Sequence, residues 1–209
     1  RSILITHHHP DHIGGVIQLK QDYPSCTVYG PSDQRITSIT TPVSVEQAIS
    51  IGQHTFHILS NPGHTSSHIS YFEPNKHWLF CGDTLFASGC GRLFEGTPTQ
   101  MSHSLDKFKS LPKNTLVYCT HEYTLSNIRF ALAVEPNNVN LISWSERAKE
   151  LRDKNLPTLP TTIGQELQVN PFMRCDQAEV IQSAKAKSGQ ELPDSAHVLA
   201  VIRAWKDQF

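Results

Sequence analysis

Charge imbalance is what the chain lacks first: 18 Lys and Arg stand against 19 Asp and Glu, a formal net charge of −1 over 209 residues. It therefore offers no basic field to hold nucleic acid and carries no acidic tail. Cysteine is scarce, and Cys26, Cys81, Cys90, Cys119 and Cys175 form an odd set without CxxC spacing. That argues against a disulfide framework and a thiolate zinc loop, and the thiols read as reduced small hydrophobes of a cytoplasmic-type protein. No apolar run approaches the length of a membrane span, and no repeat or low-complexity tract appears. An initiating Met is missing too. Arg1 is followed at once by the apolar Ile3-Leu4-Ile5, so the chain reads as cut from something longer, with any organellar address left open.

What is abundant is histidine, at 12 residues, a common metal ligand and the side chain that titrates near neutrality. Ser2 to Thr6 reads as a buried strand that breaks into polar histidines. Val16, Ile17 and Leu19 begin a helix that stops near Pro24, and Thr27 to Tyr29 is a second strand. Short strands and loops are expected from Ser32 to Gly52. Strands follow at His54 to Leu59, Ser67 to Phe72, Trp78 to Cys81 and Thr115 to Cys119. Met101, Leu105 and Phe108 trace one helix face. After His121 the period turns helical, with helices around Leu125 to Ala133, Leu141 to Leu151, Gln177 to Lys187 and Ser195 to Lys206. Leu156 to Pro171, with three prolines, reads as a connection between helices. A boundary near His121 divides an α/β part from a helical part.

The run His7-His8-His9-Pro10-Asp11-His12 leaves the first strand. Turned back by Gly14 and Gly15, it lets His7 and His9 converge on one ion while Asp11 and His12 face a second. His64, Asp83 and His121 each follow a predicted strand, and loops at one sheet edge are where α/β folds place their chemistry. Five His and two Asp are too many for one tetrahedral zinc. They suit two ions roughly 4 Å apart with a carboxylate and a hydroxide between them. Imidazole and carboxylate donors fit Zn, Fe or Mn.

These motifs, Thr6-His7-His8-His9-Pro10-Asp11-His12, Pro62-Gly63-His64-Thr65, Cys81-Gly82-Asp83-Thr84 and His121-Glu122-Tyr123, resemble the metallo-β-lactamase superfamily. The loop from Gly89 to Gly96 and the terminal Arg203-Ala204-Trp205-Lys206-Asp207 resemble, more narrowly, glyoxalase II, the hydroxyacylglutathione hydrolases. The resemblance implies a metallo-β-lactamase fold, an αββα sandwich lacking its opening strands, over residues 1–121, then a small α-helical substrate-binding domain over residues 122–209. It implies that His7, His9 and His64 hold one metal and Asp11, His12 and His121 the other, with Asp83 bridging. Asp11 and Asp83 are the carboxylates it places in catalysis. Arg92, Phe94, Tyr123, Arg203 and Lys206 are the positions it assigns to glutathione. Phe94 stands where some members have Tyr, and Arg92 where some have Lys. The opening strands would pair beside Ser2 to Thr6, so an exposed edge is expected there.

The activity so implied is hydrolysis of S-(2-hydroxyacyl)glutathione thioesters, typically S-D-lactoylglutathione to D-lactate and glutathione. A hydroxide between two divalent ions, zinc first with iron or manganese as alternatives, would do the work, in a cytoplasmic monomer with no nucleic-acid or membrane partner. Two other readings stand beside it: a single-iron enzyme of the glutathione persulfide dioxygenase type, and a catalytically silent or poorly folded truncated relative. His8 is expected to point away from the metals, and His68 either to orient a ligand or simply to pack. Asp207 reads as a surface or helix-terminal group. Cys90, near the site, has no paired base to make it a nucleophile.

Overall fold

The computed structural model describes residues 1–45 and 47–209; Glu46, in the stretch expected to hold short strands and loops, lies outside the described residues. Strands β1 (Ser2–Leu4), β2 (Thr27–Pro31) and β3 (Thr41–Val43) form a parallel sheet with β1 at its edge. Helices α1 (Pro10–Ile13) and α2 (Val16–Asp22) connect the first two. A second sheet gathers β4 (Ala48–Ile51), β5 (His54–Ser60), β6 (Ile69–Glu73), β7 (Trp78–Gly82), β10 (Leu116–Cys119) and β11 (Thr161–Thr162). Its order is β11-β10-β7-β6-β5-β4, antiparallel except between β10 and β7. The short strands β8 (Leu85–Phe86) and β9 (Gly89–Cys90) pair with each other. Helices α3 (Pro98–Lys109), α4 (Thr124–Val134), α5 (Val139–Asp153), α6 (Ile163–Val169), α7 (Ala178–Ser188) and α8 (Ser195–Asp207) complete the chain.

The two-residue side-chain alternation of a strand decides the layering. Phe56, Ile58, Ile69 and Tyr71 turn one way and pack with Val43, Leu4 and Tyr29 of the parallel sheet. Leu79, Cys81 and Val117 turn the other way and pack with Met101, Leu105 and Phe108 of α3 and Val198 and Ile202 of α8. Ile5, Val28 and Ile36 pack with Val16 of α2 on the far side of the parallel sheet. The result is the expected αββα stack, and the Tyr71 hydroxyl ties its sheets together by donating to the Ile5 carbonyl at 2.8 Å.

Two local expectations are corrected. The segment after β1 turns before its glycines, because Pro10 opens a helical turn at the position where its missing N–H costs nothing. The Leu156 to Pro171 stretch is not a bare connection: Thr161–Thr162 pairs with β10, and Thr162 caps α6 by accepting from the Gln165 amide. Pro157, Pro160 and Pro171 flank that helix and do not interrupt it.

Candidate metal centre

Strands β5, β7 and β10 run parallel to one another, so their C-terminal ends share an edge and deliver His64, Asp83 and His121 there. The segment after β1 supplies the remaining donors. Nε2 of His7 and Nε2 of His64 lie 3.1 and 3.0 Å from Nδ1 of His9. Donors about 2.05 Å from a tetrahedral zinc would stand about 3.3 Å apart, so the spacing suits a shared ion. On the other side, Asp11 Oδ2 is 3.2 Å from His121 Nε2 and 3.5 Å from His12 Nε2. Asp83 lies between the two groups, with Oδ1 3.2 Å from His12 Nε2 and Oδ2 3.6 and 3.7 Å from the Nε2 atoms of His64 and His121. His7 also falls in a third grouping with His12 and Asp83. All seven candidate ligands are thus brought together.

The donor chemistry fits metal ions. His64 Nδ1–H donates to the Arg92 carbonyl at 2.8 Å, which fixes the proton there and leaves the Nε2 lone pair facing His9. Burial, and after it the neighbouring imidazoles, push the His7 titration far down; burial also lowers His9 and His64. Neutral imidazoles are the form that ligates. For Asp83, burial pushes upward, but His12, His64 and His121 outweigh it and the net shift is downward. His12 Nε2 and Asp83 Oδ1 are buried yet make no hydrogen bond among the described residues. Such orphaned acceptors are costly unless something binds them.

The backbone around the ligands is tightly fitted. Gly82 has φ +52, and a Cβ there would sit 2.7 Å from both His68 Nε2 and Thr6 Oγ1. A Cβ at Gly91 would lie 1.9 Å from the Asp83 carbonyl oxygen. His68 is fully buried, stacks on His7 at 4.8 Å and accepts the Asp83 amide at 3.1 Å through Nε2. It packs and orients at once. His8 points elsewhere, toward Asp33 and Glu95.

A cavity of about 590 Å³ opens on these donors, with His9, Asp11, His64, Asp83 and His121 in its wall. Arg92, Phe94, Tyr123, Arg203 and Lys206, the five positions assigned to substrate, line the same cavity. Phe94 rests edge-on against His9 and His64, and Tyr123 stacks on His121 at 5.0 Å. Arg203 is buried, with NH1 donating to the Cys90 carbonyl at 3.0 Å and NH2 to Asp207 at 3.2 Å. Burial lowers the Lys206 ammonium to about 8, and it donates to Asn127 Oδ1. Burial likewise raises the Cys90 thiol.

Two residues there escaped the sequence reading. Asn127 lines the cavity and also donates to the Ala87 carbonyl at 3.0 Å; its only signal is its place one helical turn after Tyr123. Asp207 is more than a helix-terminal charge, since its Oδ1 accepts from Arg92 Nε at 3.1 Å as well as from Arg203.

Comparison with known proteins divides the chain in two. Residues 1–121 match the metallo-beta-lactamase superfamily, and residues 122–209 match the hydroxyacylglutathione hydrolase C-terminus. A hydroxyacylglutathione hydrolase of Legionella pneumophila (strain Corby) is 51% identical over 209 residues, covering 100% of this chain and 81% of the relative. The chain belongs to that family. Membership makes it an enzyme of the thioester-hydrolase class. Among solved structures, the BLEG-1 B3 metallo-beta-lactamase superposes with a TM-score of 0.59 at 27% identity, covering 82% of this chain and 76% of that one. TTHA1623 in a di-iron-bound form gives 0.55 at 26% identity with the same coverages. The superfamily match and the converging histidines and aspartates together point to divalent-metal binding. No helix among the described residues is long and apolar enough to cross a membrane.

Proposed function

We propose that the chain hydrolyses S-(2-hydroxyacyl)glutathione thioesters, S-D-lactoylglutathione among them, to the 2-hydroxy acid and glutathione. The observation that carries this is that one cavity is walled both by metal donors and by Arg92, Arg203 and Lys206. His7, His9 and His64 would hold one divalent ion, Asp11, His12 and His121 a second, and Asp83 would reach both. When bound, such ions, zinc first and iron or manganese as alternatives, supply an acidified water and a Lewis acid for the thioester carbonyl. The chain's own groups do the rest. Asp11 lines the cavity and would take a proton, as water adds, at the carboxylate oxygen left free of the ion, while Asp83 would hold the two ligand groups in register. Arg92, Arg203 and Lys206 attract the carboxylates of the glutathione peptide, with Phe94 and Tyr123 as aromatic walls. The departing thiolate belongs to a thiol with a pKa of about 8.5, so expulsion needs no strong general acid.

Residues 1–121 would then be the metal-binding unit and residues 122–209 the substrate-binding one. The five free cysteines suit a reducing, cytoplasmic setting. Steady-state hydrolysis of S-D-lactoylglutathione by metal-loaded protein tests the reading. Asp83→Ala is expected to lower kcat/KM at least about 100-fold, and unchanged turnover would overturn the mechanism. Replacing Arg203 and Lys206 together should raise KM while leaving a thioester without glutathione unaffected. Equal loss on both substrates would remove glutathione from the proposal.

A further inference from the structure

Outside the ligand set, a second polar cluster joins the segments that carry it. Arg35 donates through Nε and NH2 to Asp33 at 2.9 and 2.7 Å, and through NH1 and NH2 to the two oxygens of Glu95. Glu95 Oε2 in turn accepts both the amide and the hydroxyl of Ser66 at 2.8 Å, and Asp33 accepts the Ser67 hydroxyl at 2.5 Å. Ser66 stands two residues after the candidate ligand His64. Glu95 stands one residue after Phe94, whose amide donates to the His64 carbonyl at 3.2 Å. Gly96 adds a bond to the Gly63 carbonyl at 3.0 Å. The ligand loop and the substrate loop are therefore zipped together, and Arg35 closes the zip from a third segment. His8, between ligands His7 and His9, is held beside both carboxylates, 3.5 Å from Glu95 and 3.9 Å from Asp33.

Arg35 is the cation between these two carboxylates. Without it Asp33 and Glu95 repel, and their hold on Ser66, Ser67 and the surroundings of His8 loosens. A planar guanidinium serves two carboxylates at fixed angles, which the single ammonium of a lysine does not reproduce. An isolated half-exposed ion pair would contribute little to stability, so the value of this one lies in what it aligns.

We propose that Arg35, through Glu95 and Asp33, is a positioning residue that sets the metal-ligand loop against the substrate loop, so that one contact outside the cavity governs both metal retention and glutathione-thioester binding. The proposal rests on the metal-centre reading above. Its test uses the full chain and two readouts, equilibrium competition for zinc against a chromophoric chelator and KM for S-D-lactoylglutathione. Arg35→Met and Glu95→Gln are each expected to weaken zinc retention about 10-fold, as loss of groups that orient ligands does, and to raise KM. Arg35→Lys should fall between them and the parent. The double variant should be no worse than the poorer single, because both changes break one connection. The ligand-field spectrum of the cobalt-substituted protein should shift in the same variants. Lys149→Met, which removes an exposed ion pair with Asp153, should leave all readouts at parent values. Variants that melt earlier yet keep parental zinc affinity, spectrum and KM would reduce the cluster to a structural clip and overturn the proposal. Should Arg35→Met fail to fold, Arg35→Lys and Glu95→Gln decide on the same measurements. A parent chain that binds no zinc would instead defeat the metal-centre reading itself.

Discussion

His68 shows how a residue that need not touch a metal can control one. Burial holds its titration down to about 3, so it is neutral, and acceptance of the Asp83 amide at Nε2 places its proton on Nδ1, facing the Thr84 hydroxyl 3.2 Å away. Its stack on His7 braces a second candidate ligand with the same ring. Replacing it with Leu keeps the bulk but leaves the buried Asp83 amide without an acceptor, a loss of about 1–3 kcal/mol. His68→Leu is therefore expected to weaken metal retention about 10-fold or more and to lower Tm, whereas His68→Gln, which restores an acceptor, should recover part of both. Parental metal affinity in His68→Leu, measured by chelator competition, would show that the ring only fills space. The seven ligand candidates were readable because each lies in a short donor-rich motif that follows a strand. His68 was readable only as a choice between orienting and packing, and the contacts of Asn127 and Asp207 were not readable at all, because what these residues do depends on which strands and helices come to lie beside them.

At the scale of elements, α6 is the piece least visible beforehand, and it holds the most isolated buried carboxylate. Glu166 accepts from the Ser88 amide, the Asn170 side chain and the Thr161 hydroxyl at 2.8, 2.8 and 2.7 Å, with no cation paired to it among the described residues. Asn170 also donates to the carbonyls of Phe86 and Gly89, so the end of α6 grips the β8–β9 turn that leads to Cys90 and Arg92. Burial raises Glu166 from the ordinary 4.5 to about 7 despite those donors. The native state then binds the extra proton between those values, so this group's contribution is complete below about 4.5 and is lost as pH rises through about 7. Glu166→Gln keeps an acceptor toward Ser88 and Asn170 and turns a donor toward Thr161, whose hydroxyl can accept it, as it would from the protonated acid. Melts across that window should show the variant gaining on the parent as pH rises. A constant difference would mean that Glu166 does not titrate there. Proline-rich flanks hid this helix, since three prolines in sixteen residues read as a connection when their positions outside the helical turns are unknown.

Across the whole molecule, the runs that mark β5, β6, β7 and β10 placed the strands, while the αββα layering was expected from the family resemblance, because a short run does not say which layer each of its faces will meet. A change of period near His121 does not reveal whether the two sides share a core. They do: Leu79, Leu105 and Phe108 lie in one hydrophobic cluster with Phe130, Phe172, Val198 and Ile202. The helices after His121 thus serve as the outer layer of the sandwich as well as one wall of the cavity. Uncovering Leu79, Leu105 and Phe108 alone would forfeit about 1.5–3 kcal/mol each, a large share of the ~5–15 kcal/mol by which a domain is stable. Residues 1–121 produced alone should accordingly show no cooperative melt by circular dichroism and should fail to retain zinc, although they contain every candidate ligand. A cooperative transition with zinc bound would mean that the α/β layers stand without their helical cover, and that the second unit adds substrate recognition alone. The expected result instead makes the substrate wall and the metal site parts of one folding unit, so that damage to α8 at Val198 or Ile202 would reach the ligands through the core without altering a residue in the cavity.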